Sequence, residues 1–370
     1  MEIQTAILWE QNQPLSVEAA VLDAPGPGEV LVEVKAAGVC HSDLHPARGD
    51  WPAKTPLVLG HEGAGIVRAI GASVTEVSAG DHVVLCWAPA CGECPPCREG
   101  RAVLCDRLDK TTYRNKLPSG ASRLHAREQE LAAFLGTACF SSFVVVPQEA
   151  AIPVAPDLPF DALATLGCAV LTGVGAVMNA AQVPAGARVA VIGAGGVGLN
   201  VVQGAAIAGS ERVIAIDLRP APLAIATTFG ATDTIDAAGD VPPAIRSLTN
   251  GRGADFVFDT VGSPATLATA IASARKGGAV ILTGLSRVDS QGSIPMFPFV
   301  MQEKRLIGSV YGSGDPARDI PRLVSLYQDG RLKLNELVSR TYPLDRINDA
   351  LDALAASDGA RGVIRFGAGV

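Results

Sequence analysis

The sequence predicts an α/β protein: a β-rich first domain followed by a doubly wound parallel sheet. Three observations carry this. A glycine-rich turn joins a strand to a helix within residues 188–207, β-type alternation runs to about Val146, and from about Val170 to Tyr311 apolar strands alternate with Ala-rich helical segments. At 370 residues the chain exceeds what one hydrophobic core supports, so two domains are expected.

The first part alternates short runs such as Val30–Val34 and Gly65–Ile70 with Gly, Pro and Asp turns. The segment Asp106–Glu130 is polar and basic, shows no clean period, and reads as a solvated surface excursion. The second part contains the strands Arg188–Ile192, Arg212–Ile216, Asp255–Asp259 and Ala279–Gly284. Helical Ile320–Asp329 and Leu344–Ala356 and the strand-like Gly362–Phe366 follow, and periodicity assigns them to neither domain.

Composition narrows the function. Hydrophobic residues make up 48% and charged residues 18%, with 40 glycines, which suits buried parallel strands and tight turns. A net charge of -7 and a pI of about 5.3 give no field that would hold DNA, RNA or an anionic membrane, so neither nucleic acid nor membrane is expected as a partner. No apolar stretch reads as long enough to cross a bilayer, and Met1–Glu10 lacks a basic region before an apolar core. Eight cysteines, four of them crowded between Cys91 and Cys105, read as metal ligands in a reducing compartment, which points to the cytoplasm.

Gly193-Ala194-Gly195-Gly196-Val197-Gly198 follows the strand Arg188–Ile192 and opens a helix through Ile207, so this GxGxxG stands in the context it requires. The first glycine serves the tight turn, the second lets backbone approach a pyrophosphate, and the third lets the helix pack on the strand, while free helix N–H groups face the phosphates. Asp217, nineteen residues past Gly198, ends the next strand, where its carboxylate accepts ribose hydroxyls and repels a 2′-phosphate. NAD is therefore expected over NADP, although Arg219 lies close enough to reach a phosphate.

Cys91, Cys94, Cys97 and Cys105 form CxxCxxCx7C, four soft ligands in a polar loop that together close a tetrahedral zinc site with no open position. That makes the site structural. An iron–sulfur cluster fits the same spacing, but nothing else asks for one-electron chemistry. Cys40, His61 and Cys168 are dispersed, and no spacing rule joins them; singly, each reads equally well as a buried structural residue.

Taken in order, Gly60-His61-Glu62-Gly63, the Cys91–Cys105 cluster and Gly193–Gly198 resemble the zinc-containing medium-chain alcohol dehydrogenases over the whole chain, most closely the longer-chain branch with the liver-type and glutathione-dependent enzymes and their bacterial alcohol-oxidising relatives. The resemblance implies a GroES-like catalytic domain with the structural zinc lobe at 1–169, a Rossmann NAD-binding domain at 170–312, and a return to the catalytic domain at 313–370. It implies two Zn²⁺ per chain, with Cys40, His61 and Cys168 on the catalytic one, where the metal acidifies an alcohol or polarises an aldehyde.

By the same resemblance, Ser42 and His45 carry the proton outward, and Asp43 and Glu62 support the ligands, with Asp43 accepting the far N–H of His61. His41 and Arg361 match pyrophosphate contacts and Thr172 a nicotinamide contact. Trp51, Trp87 and Phe134 match the alcohol channel, implying a primary aromatic or medium-chain aliphatic alcohol. The glutathione-dependent relatives carry acidic groups near position 51 and an arginine at position 109, where this chain has Trp51 and Asp109. His82, His125, Cys86 and Cys139 match no functional position. A homodimer is expected. A zinc-free reductase would not need the Cys40, His61 and Cys168 set, and a non-catalytic nucleotide-binding protein would not need Ser42 and His45.

Overall fold

The computed structural model describes residues 1–356 and 359–367. The chain forms two compact units, one comprising Met1–Cys168, Asp315–Gln328 and Leu334–Val370, the other Ala169–Gly314 and Asp329–Lys333. Within the expected C-terminal segment, residues 357–358 and 368–370 lie outside the described residues. The short stretch Asp329–Lys333 belongs to the second unit because Lys333 is fastened there. Its amide donates to Gln203 Oε1 at 2.9 Å, its carbonyl accepts from Gln203 Nε2 at 3.3 Å, and its ammonium donates to the Thr228 carbonyl.

In the first unit, Glu2–Leu8, Ser16–Leu22, Leu124–Ala126, Gln129–Ala133 and Leu57–Val58 close a small barrel. A second sheet is organised around Glu29–Val39, whose alternate residues Val30, Val32 and Val34 are buried, as a strand with one covered face requires. Glu29–Val39 pairs antiparallel with Glu62–Ile70, with Phe143–Pro147, and with the C-terminal strand Arg361–Arg365. The C-terminal strand is thereby assigned to the first unit, which its pattern alone could not do. Val32, Val34, Leu59, Val67, Leu85, Phe140 and Ile364 form the core between these elements, each contributing roughly 1.5–3 kcal/mol on burial.

The excursion at 106–130 is more than a solvated loop. Leu108, Leu117 and Leu124 are buried, and the last two join the apolar cluster of Ile7, Leu22 and Leu131. Three anchors spaced seven to nine residues apart leave no helical or strand period for the sequence to display.

The second unit holds a six-stranded parallel sheet in the order Asp233–Asp236, Arg212–Asp217, Arg188–Ile192, Ala254–Asp259, Ala274–Leu282, Arg305–Gly308. Counted along the chain this is 3-2-1-4-5-6, the doubly wound order, which places the glycine turn after the central first strand. The strand expected at Ala279–Gly284 instead spans Ala274–Leu282. Its first turn of sequence, Arg275-Lys276-Gly277-Gly278, is too polar and glycine-rich to read as a strand. It ends early because the amides of Thr283 and Gly284 both turn to the Asp259 carbonyl.

One expectation needs correcting. Phe160–Ala180 is a helical run of 21 residues, long and apolar enough to cross a bilayer by composition, yet 89% of that window is buried within the protein. Its apolar surface is covered by the chain's own packing, and small residues such as Gly167, Gly173 and Gly175 dilute it in the sequence.

Candidate active site and metal centres

Cys40, His61 and Cys168 are all buried, and their ligand atoms lie within 4.8 Å of one another, together with a carboxylate oxygen of Glu62. Strand register explains the first two. Glu29–Val39 and Glu62–Ile70 pair with Gly38 opposite Glu62, so the residues just beyond the paired ends, Cys40 and His61, come together. Cys168 enters from a π-helical turn, Leu166–Val170, a local widening that often marks functional positions in helices.

Asp43 locks the arrangement. Its carboxylate accepts from the amides of Cys40 and Gly60 and pairs with His61 Nδ1, each at 3.0 Å. An ionised carboxylate only accepts, so in the neutral ring Nδ1 carries the hydrogen and Nε2 presents the lone pair. That Nε2 is buried and has no hydrogen-bond partner, nor does either Glu62 oxygen.

Two thiols and one imidazole nitrogen, crowded and buried, form a set that a zinc ion fits. The thiol of Cys40 is held well below its usual range by its hydrogen bond with Cys168, while the same contact, with burial, pushes Cys168 up. Burial works to lower His61, but the Asp43 carboxylate beside it prevails and holds it well above the usual range. A dication accounts for how both thiols become thiolates at once.

A carboxylate oxygen of Glu62 lies within 4.8 Å of the three candidate ligand atoms. Burial raises its carboxyl to about 8, against the opposing pull of Arg361, whose Nη2 lies 3.4 Å away. Arg361, matched by resemblance to a pyrophosphate contact, has protein partners in the first unit. It is buried, its Nη1 donates to the Val39 carbonyl at 2.8 Å, and its charge faces Glu62 and the two cysteines. Its place in the inserted strand Arg361–Arg365, opposite the Val39 end of the central strand, turns the side chain toward the metal cluster.

Cys91, Cys94, Cys97 and Cys105 also converge, with all four sulfurs within 4.8 Å. The Cys91–Cys97 and Cys94–Cys97 sulfur separations are 4.0 and 3.4 Å. These bracket the edge of about 3.8 Å that a tetrahedron with ~2.3 Å Zn–S bonds has. Amides of Cys94 and Cys91 donate to the sulfurs of Cys91 and Cys105. Backbone hydrogen bonds from Glu93 and Cys94 lower Cys91 to about 6, whereas burial lifts Cys97 to about 12. All eight cysteines of the chain are free thiols.

Ser42 and His45 sit on the helix His41–Ala47, which Cys40 caps; Ser42 and His45 are half-buried and His41 is exposed. His45 stacks on Trp51, ring centroids 4.4 Å apart and planes 20° from parallel, and its Nδ1 lies 3.3 Å from Asp50 Oδ2. Phe134 meets His61 edge-on at 5.7 Å, and Trp87 lies beside Tyr113 at 6.3 Å. Each of the three rings matched to the alcohol channel thus has a ring neighbour within the first unit. A cavity lined by Leu22, Leu117, Arg123, Val144 and Val145 includes none of them. Of the residues without an expected role, Cys86 and Cys139 are buried in the core, His82 lies against Phe160, and His125 pairs with Asp23.

In the second unit, Gly193 has φ +91°, which makes the turn after Ile192, and a Cβ on Gly198 would stand 1.8 Å from the Gly193 carbonyl, so the helix Gly196–Ile207 closes on the turn only with glycine there. A Cβ on Gly195 would meet no protein atom within 4 Å, so packing does not require that glycine. Gly196 and Val197 form the helix's first turn, where backbone N–H groups have no intrahelical partner. Asp217 ends its strand 8% exposed, accepts from the amides of Ala194 and Arg219, and pairs with Arg219 Nε at 3.3 Å. Thr172 is buried in the helix Leu171–Gly175.

Two features escaped the sequence. Asp43 was expected to accept from His61 but not from the amides of Cys40 and Gly60, the first of which is signalled by the place of Asp43 three residues after a helix cap, where a carboxylate reaches back to the cap amide. The Asp50–His45 contact had no local signal, because it depends on how the chain turns at Gly49.

Comparison with known proteins agrees with this chemistry. Residues 26–157 match the alcohol dehydrogenase GroES-like domain family, and residues 196–329 the zinc-binding dehydrogenase family. Alcohol dehydrogenase B of Mycobacterium tuberculosis is 36% identical over 370 residues, covering 99% of both chains. An alcohol dehydrogenase zinc-binding domain protein from Burkholderia ambifaria superposes with a TM-score of 0.95 at 34% identity, over 99% of each chain. Benzyl alcohol dehydrogenase from Acinetobacter calcoaceticus gives 0.94 at 31% identity, over 99% of this chain and 100% of its own. With two converging zinc-type ligand sets, a β-rich unit and a doubly wound unit, the chain belongs to the zinc-containing medium-chain alcohol dehydrogenases.

Proposed function

We propose that this protein is a cytoplasmic, NAD-linked alcohol dehydrogenase that binds two zinc ions per chain and interconverts primary alcohols, aromatic or medium-chain aliphatic, with their aldehydes. The observation that carries the reading is the buried Cys40–His61–Cys168 set, in which His61 Nε2 has no hydrogen-bond partner. Three protein ligands leave a tetrahedral ion one open position, the mark of a catalytic site, whereas the four-cysteine set is closed. Zinc, when bound, supplies Lewis acidity toward the substrate oxygen.

The chain's own residues do the rest. Asp43 fixes His61 in the ligating tautomer, and Ser42, two residues past Cys40, takes the proton from the substrate hydroxyl and hands it outward to His45. Residues 1–169 with most of 313–370 carry the metals and substrate, and 170–312 holds the dinucleotide on the turn Gly193–Gly198. The buried Asp217 carboxylate supports NAD over NADP, since a 2′-phosphate there would meet a negative charge. Arg219 is engaged with that carboxylate, which supports the same preference. Eight reduced thiols support a cytoplasmic setting.

The aromatic residues Trp51 and Phe134 beside His45 and His61, and the similarity to a benzyl alcohol dehydrogenase, support an apolar substrate. Asp109, where glutathione-dependent relatives carry a base, argues against a thiol adduct. A panel of benzyl alcohol, 1-hexanol, ethanol and the glutathione adduct of formaldehyde, each with NAD⁺ and NADP⁺, tests this. The expected result is highest kcat/KM for benzyl alcohol or hexanol with NAD⁺; preference for the adduct or for NADP⁺ would overturn the assignment.

A further inference from the structure

We propose that Asp50 is the positioning residue for His45, holding its imidazole in the one tautomer and orientation that can take up the outgoing proton. The inference rests on the proton path through Ser42 and His45 proposed above.

The contact is built into the chain. After the helix His41–Ala47, Gly49 adopts φ +73° and turns the backbone, and the amides of Asp50 and Trp51 both come back to the His45 carbonyl, at 2.9 and 3.3 Å. The residue that carries the ring is therefore the one that fixes the backbone of its two neighbours. Asp50 lays a carboxylate oxygen 3.3 Å from Nδ1, and Trp51 stacks flat on the ring at 4.4 Å. A separate segment holds the turn in place. Gln11 Nε2 donates to the carbonyls of Pro46 at 2.7 Å and Trp51 at 2.9 Å, and the Asn12 amide donates to the Ala47 carbonyl at 2.7 Å.

A carboxylate can only accept, so the hydrogen of neutral His45 sits on Nδ1 and Nε2 keeps its lone pair. A proton arriving at Nε2 makes an imidazolium paired with Asp50. Water then removes the Nε2 proton, and the carboxylate selects the same tautomer for the next cycle. The histidine side chain is 19% exposed and that of Asp50 28%, so the pair stands at the solvent end of such a path. Trp51 thereby also limits rotation of the ring, beside the channel role the resemblance implies.

The test is a double-mutant cycle on the zinc-loaded enzyme with Asp50→Asn, Asp50→Glu and His45→Gln, read as kcat and KM for benzyl alcohol. Alongside it, the histidine ¹⁵N spectrum reports which ring nitrogen carries the hydrogen. We expect Asp50→Asn to lower kcat about tenfold with KM within about twofold, a fraction of what a full acid–base group contributes. Asp50→Glu should restore most of the loss, Asp50→Asn should add nothing when His45 is already Gln, and the His45 signals should move from the Nδ1–H form toward a mixture. Unchanged tautomer and kcat in Asp50→Asn, or an equal loss in the His45→Gln background, would overturn the role of Asp50 while leaving the path intact. Full activity of His45→Gln would overturn the path itself, and the inference with it.

Discussion

At the level of single residues, Asp43 holds the first unit's site together. It is fully buried, and its three contacts tie together the amide of Cys40, the amide of Gly60 next to His61, and the ring of His61. A group that fixes a ligand's tautomer and position is expected to matter nearly as much as the ligand, so Asp43→Asn should weaken zinc binding at the Cys40 set about 10- to 100-fold. Competition against a chelator measures this, and unchanged affinity would contradict it. Residue-level legibility was uneven for a physical reason. Cys91–Cys105 closes within fifteen positions, so spacing alone exposes it. Cys40, His61 and Cys168 are joined only through strand pairing and a helix entry 107 positions later in the chain, which no local rule encodes. The contact of Arg361 with Glu62 likewise depends on packing between strands far apart in sequence, which no local spacing encodes.

Among the elements, the helix Met296–Met301 stands out. Met296, Phe297, Val300 and Met301 are each 67–78% exposed, and the strand Arg305–Gly308 that follows is the edge of the six-stranded sheet. An apolar face next to an open strand edge is a surface that isolated proteins usually cover. We propose that this face supports the homodimer expected from the resemblance, with a second copy of the same face as occupant, since such self-complementary interfaces are the commonest in soluble oligomers. Phe297→Asp on that face should shift the protein from dimer to monomer in sedimentation equilibrium while zinc content stays unchanged; a monomeric wild type would contradict the proposal. The strands with continuous apolar sequence, Arg188–Ile192, Arg212–Asp217 and Ala254–Asp259, were readable to within a residue at each end. Asp233–Asp236 and Arg305–Gly308 were not, because edge strands carry polar residues and lack the apolar run by which a buried strand is recognised.

For the molecule as a whole, two donor sets of different kind lie in one unit and a dinucleotide-type turn in the other. In the proposed reading, zinc on the closed four-thiol set would hold the loop between Trp87 and Leu108, while zinc on the three-ligand set would keep a position for a substrate oxygen. That division of labour is the central claim, and one measurement tests it directly: zinc counted by mass spectrometry on wild type and Cys40→Ser, with benzyl alcohol oxidation followed on the same samples. The account predicts two zinc ions per wild-type chain, one in Cys40→Ser, and loss of oxidation with the second. A single zinc in the wild type, unchanged by the substitution, would contradict it and leave only the structural site.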